Sequence, residues 1–98
     1  MDKIDSFFEI LILKTTIGGL HWDQVSEKPV VYMATVLEYR LDLVEGECPT
    51  LTIFTYKGRI IDEFKCHPQA HNLFAEVRRN ITENKKILDD VIKALKGL

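Results

Sequence analysis

The hydrophobic pattern of this chain changes period twice, and that constrains its fold more than anything else in the sequence. Residues 2–16, "DKIDSFFEILILKTT", place Ile4, Phe7, Phe8, Leu11 and Ile12 on one face of an α-helix, at the i, i+3, i+4, i+7, i+8 spacing. From Leu20 to Phe64 the pattern alternates by two, as strands require, in "LHWDQV", "VVYMATVLEYRLDLV", "TLTIFTY" and "RIIDEF". From Pro68 onward the helical period returns, with Leu73, Val77, Ile81, Leu88, Val91, Ile92 and Leu95 forming a stripe that ends at Gly97. The expected fold class is therefore α+β: an N-terminal helix, a four-stranded antiparallel meander and a long C-terminal helix, within a single domain spanning residues 1–98.

Local chemistry marks the joints. Asp2 is the expected N-cap of the first helix. Gly18 and Gly19 follow that helix, which suits a left-handed C-terminal cap; a phosphate-cradling loop has its glycines before a helix. "SEKP" and "EGECP" read as turns, and Lys57-Gly58 as a two-residue hairpin connection. In the longest β-rich run, Tyr32, Ala34 and Val36 have one parity and Leu37, Tyr39, Leu41 and Leu43 the other. Either both faces are partly covered, or a bulge near Glu38 shifts the register so that Leu41 and Leu43 rejoin the core; a hairpin break is disfavoured because "LEY" contains no turn residue. Pro68 suits a first helical turn. Asn80 followed by Glu83 resembles a capping box, so a kink or break in the C-terminal helix is expected near Asn80.

Composition excludes several classes. The chain has 98 residues, 46% hydrophobic and 29% charged, and a net charge of −2, which is an ordinary globular balance and offers little to a polyanion. Its opening lacks the basic and apolar regions of a signal peptide, and no run approaches the ~20 apolar residues of a membrane span. The two cysteines, Cys48 and Cys66, are too few for a disulfide scaffold, so a cytoplasmic protein with free thiols is expected and the "NIT" sequon at Asn80 reads as a chance match.

The succession of apolar helix, "KTTIGGLHW", alternating strand with Tyr32 and Ala34, "LTIFTYKGRIIDEF" and a last helix with "FAEVRR" resembles a pattern found in small, mostly uncharacterised prokaryotic proteins. In these a helix leads through a threonine and a glycine into a leucine-x-tryptophan pair, and a meander and a helix with a basic pair follow. The resemblance rests on Thr15, Gly18, Leu20, Trp22 and Gly58. It implies the order of elements and carries no catalytic residue.

Three constellations have chemical potential. Cys66, His67 and His71 in "CHPQAH" are soft and borderline ligands close in sequence, a possible metal site, although no H-E-x-x-H glutamate accompanies them. Arg78, Arg79, Lys85 and Lys86, with the sheet aromatics Phe54 and Tyr56 and with Arg40, offer an alternative nucleic-acid surface. Acidic residues interleave with the bases, and the series Arg79–Glu83–Lys86–Asp90–Lys93 reads as a solvated ion-pair ladder. Third, Ile10 and Leu13 fall off the core stripe of the first helix, and Phe54 and Tyr56 belong to a strand that is apolar on both faces. Surplus apolar surface of this kind points to contact with another protein. No nucleophile–base arrangement, P-loop or dinucleotide fingerprint is present. The expectation is a non-catalytic protein-interaction or oligomerisation domain, a homodimer or an adaptor, needing no cofactor and making no membrane contact.

Overall fold

The computed structural model describes residues 3–98. The N-cap expected at Asp2 lies outside them. Helix α1 (Lys3–Thr16) leads into a five-stranded antiparallel sheet, β1 (Asp23–Glu27), β2 (Val30–Val36), β3 (Tyr39–Val44), β4 (Thr50–Phe54) and β5 (Ile60–Lys65), and helix α2 (Pro68–Lys96) closes the chain. The strands lie in chain order, so every connection is a hairpin or short loop and β1 and β5 are the edges.

The meander has one strand more than the sequence pattern predicts, because the run 30–44 folds back on itself at Leu37-Glu38. Val36 pairs with Tyr39, Ala34 with Leu41 and Tyr32 with Leu43. The expected bulge near Glu38 is thus a two-residue turn, and Leu37, with φ of 54° and its side chain 90% exposed, takes the left-handed position usually given to glycine or asparagine. The turn accomplishes what a bulge was expected to do: the even residues of β2 and the odd residues of β3 share one face. Lys57-Gly58 also differs from expectation. Thr55 N–H donates to the Arg59 carbonyl and Gly58 N–H to the Thr55 carbonyl, so the loop has three residues, Tyr56 to Gly58, with Gly58 at φ 84°. Register irregularities interrupt both outer strand pairs, between Gln24 and Ser26 and between Ile53 and Phe54.

Both helices cover the same sheet face. Phe8 and Leu11 of α1, Ala70, Leu73 and Val77 of α2, and Tyr32, Ala34, Leu41, Leu43 and Leu51 of the sheet form one core, joined by Leu20 and Trp22 from the connection after α1. The helix end that delivers these two follows the sequence expectation. Gly18 has φ of 78°, its N–H reaches the Thr15 carbonyl, and the Gly19 N–H reaches that of Lys14 at 2.8 Å, the paired closure of a glycine-capped helix.

Thr15 ties three elements together. Its hydroxyl donates to the Leu11 carbonyl (2.8 Å) and accepts from Trp22 Nε1 (3.0 Å), while its carbonyl accepts from Asn80 Nδ2 (3.1 Å). Asn80 therefore serves α1 instead of capping a new helix, and α2 runs through it unbroken.

A second joint lies at the other end of α1. His67 is the N-cap of α2: its Nδ1 accepts from the Gln69 N–H, so the ring proton sits on Nε2, which lies 3.2 Å from Asp5 Oδ1. The imidazole stacks on the Phe8 ring with centroids 4.5 Å apart. Next to it, Cys66 is bonded to Cys48 across 18 residues, with the two Cα atoms 5.0 Å apart. The expectation of free thiols is corrected by this disulfide.

Two outcomes are expected. Thr15→Val, which strands the buried Trp22 N–H, should cost roughly 1–3 kcal/mol in urea unfolding, whereas Thr15→Ser should recover most of the loss. Reduction of Cys48–Cys66 frees an 18-residue loop in the unfolded chain, and unfolding with and without a phosphine reductant should differ by about 3 kcal/mol.

Candidate interaction surface

The 29 residues of α2 outrun the body they pack on. At 1.5 Å per residue the helix is about 43 Å long, against strands of about 17–20 Å, and the molecule measures 51 × 30 × 28 Å. The helix buries Ala70, Leu73 and Val77 and half-buries Phe74, Asn80 and Ile81. Every residue from Thr82 to Leu98 is exposed. The apolar stripe does not stop where the body does. Ile87, Leu88, Val91, Ile92 and Leu95 are 60, 58, 49, 40 and 63% exposed. At 100° per residue Leu88, Val91 and Leu95 continue the side of the helix that carries Leu73 and Val77. The sequence pattern reveals this stripe but not its exposure, because periodicity records which residues share a face and not whether anything lies against it.

Beside the point where α2 leaves the body, a groove of about 630 Å³ runs between the helix (Ile81, Asn84, Lys85, Leu88) and the connection and edge strand from His21 to Glu27. Its sheet wall carries Asp23 and Glu27, with Asp23 Oδ1 3.0 Å from His21 Nε2.

The residues singled out from the sequence as an interaction surface do not converge. Ile10 and Leu13 are exposed on α1, as expected. Ile10 forms a wall of an apolar groove of about 480 Å³ with Phe7, Leu20, Val36, Tyr39 and Ile53, and Leu13 stands outside that lining. Phe54 is on the opposite sheet face, with the Arg40 guanidinium 4.2 Å above its ring, and Arg40 Nε lies 3.1 Å from Asp42 Oδ1. Tyr56 is at the tip of the β4–β5 loop. The uncovered sheet face is thus mixed, its phenylalanine roofed by an ion-paired arginine.

The basic alternative is also divided. Arg79 bonds Glu76 and Glu83, the latter at 3.1 Å, and so lies inside the expected ladder. Arg78 and Lys85 line a polar hollow with Glu27 and Glu45. Lys86 is exposed on α2, separated from the Phe54 face by the sheet itself. Burial pushes the Tyr32 phenol beneath this segment up, and the nearby Arg78 opposes that shift. Of the metal alternative, Cys66 is spent on the disulfide, His67 has both ring nitrogens engaged, and His71 is exposed on α2. Among the described residues no group of three or more histidine, cysteine, aspartate or glutamate side chains is arranged to hold a metal ion, and no helix is long and apolar enough to cross a membrane.

Comparisons with protein-family models, with curated proteins and with solved structures find no match to this chain.

Glu76 links α2 to the end of α1. Its carboxylate accepts from Arg79 and lies 2.9 Å from the Thr16 hydroxyl, and these hydrogen bonds, that from Arg79 first, hold it below the usual glutamate range. A depressed carboxyl stabilises the fold above its unfolded value and loses that contribution as pH falls through the folded one. Glu76→Gln should therefore lower the urea midpoint slightly near pH 7, and the gap from the parent protein should narrow as pH falls below the ordinary glutamate range.

Proposed function

We propose that this chain is a non-catalytic protein-interaction domain that works as a homodimer, with the exposed half of α2 as its contact surface. The observation that supports this reading is the stripe of Ile87, Leu88, Val91, Ile92 and Leu95, each 40–63% exposed on a helix that continues past its own core. Soluble monomers rarely leave a contiguous apolar surface of this kind in water. Burying the exposed part of such a side chain contributes roughly 1 kcal/mol. Ten of them across a symmetric pair contribute about 10 kcal/mol, on the scale of the ~4–15 kcal/mol that association costs. A second copy is the simplest partner, since twofold symmetry lets one patch serve both sides of an interface.

The helix end can be altered without touching the core, because Leu88 and Val91 bury little in the single chain. Sedimentation velocity at tens of micromolar should give twice the chain mass for the natural sequence and a single chain mass for Leu88→Glu/Val91→Glu, with the two melting alike at high dilution. A natural chain that stays monomeric, or a dimer indifferent to both glutamates, defeats the reading.

A further inference from the structure

The shape of the monomer restricts how two such helices can meet, and this inference rests on the dimer reading above. Leu88, Val91 and Leu95 lie on the side of α2 that, nearer its N-terminus, packs Leu73 and Val77 against the sheet. Each copy's own body therefore occupies that side of the helix at its N-terminal half. A parallel partner would bring its body to the same side at the same height, and the two bodies would collide. An antiparallel partner places the bodies at opposite ends, with the exposed halves overlapping between them.

We propose that residues 82–98 of α2 pair antiparallel with the same segment of a second copy, and that each helix's last two turns lie in the partner's groove between α2 and β1. Setting Leu88 opposite the partner's Val91 brings Asn84 opposite the partner's Leu95 and Ile81 opposite the partner's Leu98. Ile81, Asn84 and Leu88, together with Lys85 on the rim away from the Val91 side, form the helical wall of the 630 Å³ groove, so the partner's last leucines arrive where that groove is open and its acidic charge lies on the opposite, β1 wall.

Charge agrees with this seating. The sheet wall of the groove, β1, has the sequence "DQVSE", with Asp23 and Glu27 and no basic residue, whereas the last helical turn carries Lys96 and no acid; its other lysine, Lys93, lies on the outer side of the helix, away from the pairing stripe. Antiparallel overlap sets these two segments against each other twice in every dimer. The apolar groove beside α1, whose one charged residue is Lys14, offers the basic helix end no such complement.

The test is pulsed electron resonance on three single spin-label variants, Ala75→Cys, Lys86→Cys and Lys93→Cys, kept oxidised so that the natural disulfide stays closed, on protein whose mass is measured in parallel. Antiparallel pairing predicts similar distances at positions 86 and 93 and a distance longer by roughly 20 Å at position 75. Alike distances at all three positions would indicate a parallel pair and overturn this inference while leaving the dimer reading intact. A chain mass of one, with no dipolar signal, overturns both. Glu27→Lys should weaken the dimer about fivefold, the contact being present twice, and adding Lys96→Glu should restore it. Loss without recovery, or no loss, removes the β1 groove as the seat of the helix end.

Discussion

The hydrogen bond from Trp22 to Thr15 holds together what the rest of the fold relies on. A threonine inside a helix ordinarily returns its hydroxyl proton to the preceding turn, and Thr15 does so. Its remaining lone pairs then accept the indole N–H of the side chain that fills the space under the helix end. The same residue's carbonyl, which at the helix end takes only the Gly18 N–H of the cap, has a second lone pair that accepts Asn80 from α2. One residue thus connects the end of α1, the entry to the sheet and the midpoint of α2. At the opposite end, His67 connects α2 to α1 through Asp5 and the face of Phe8, and the two helices run side by side between these joints.

Much of this was legible from residue patterns, and the misses have specific causes. The α+β order, the core face of α1 and the glycine cap follow from periodicity and from the freedom of glycine at positive φ. Thr15, Gly18, Leu20, Trp22 and Gly58, singled out by their pattern in the sequence, all have architectural places in the helix end, the core or a turn. The β2–β3 turn was not legible, because Leu37 takes a backbone conformation that its side chain disfavours and tertiary pairing of Ala34 with Leu41 and Tyr32 with Leu43 imposes. Asn80, where α2 continues without a break, shows a related limit. A capping motif is a local signal, and the competing partner, the Thr15 carbonyl, lies 65 residues away.

The candidate surface was half legible. Ile10 and Leu13 are exposed as their off-stripe positions imply, but the larger apolar surface belongs to residues that looked like core. Leu88, Val91 and Leu95 stay on the same side of the helix as Leu73 and Val77, and only the dimensions of the sheet show that the body ends before it can cover them. Cys48 and Cys66 illustrate the complementary difficulty. They stand 18 positions apart, with β4, β5 and their hairpin between, and they meet because that hairpin returns the chain to its starting edge.

The irregularities on the two outer strand pairs have a consequence for what the protein does not become. A flat edge strand with an unbroken ladder is a template on which a further strand can add, and repetition of that step yields fibrils. Here β1 is displaced between Gln24 and Ser26, and β5 answers an offset between Ile53 and Phe54 while presenting Asp62, Glu63 and Lys65 outward. Each margin is thus short, broken by one irregularity and, on β5, charged. A crowded solution of this protein is thereby steered away from open-ended stacking of sheets and toward contacts that close on themselves.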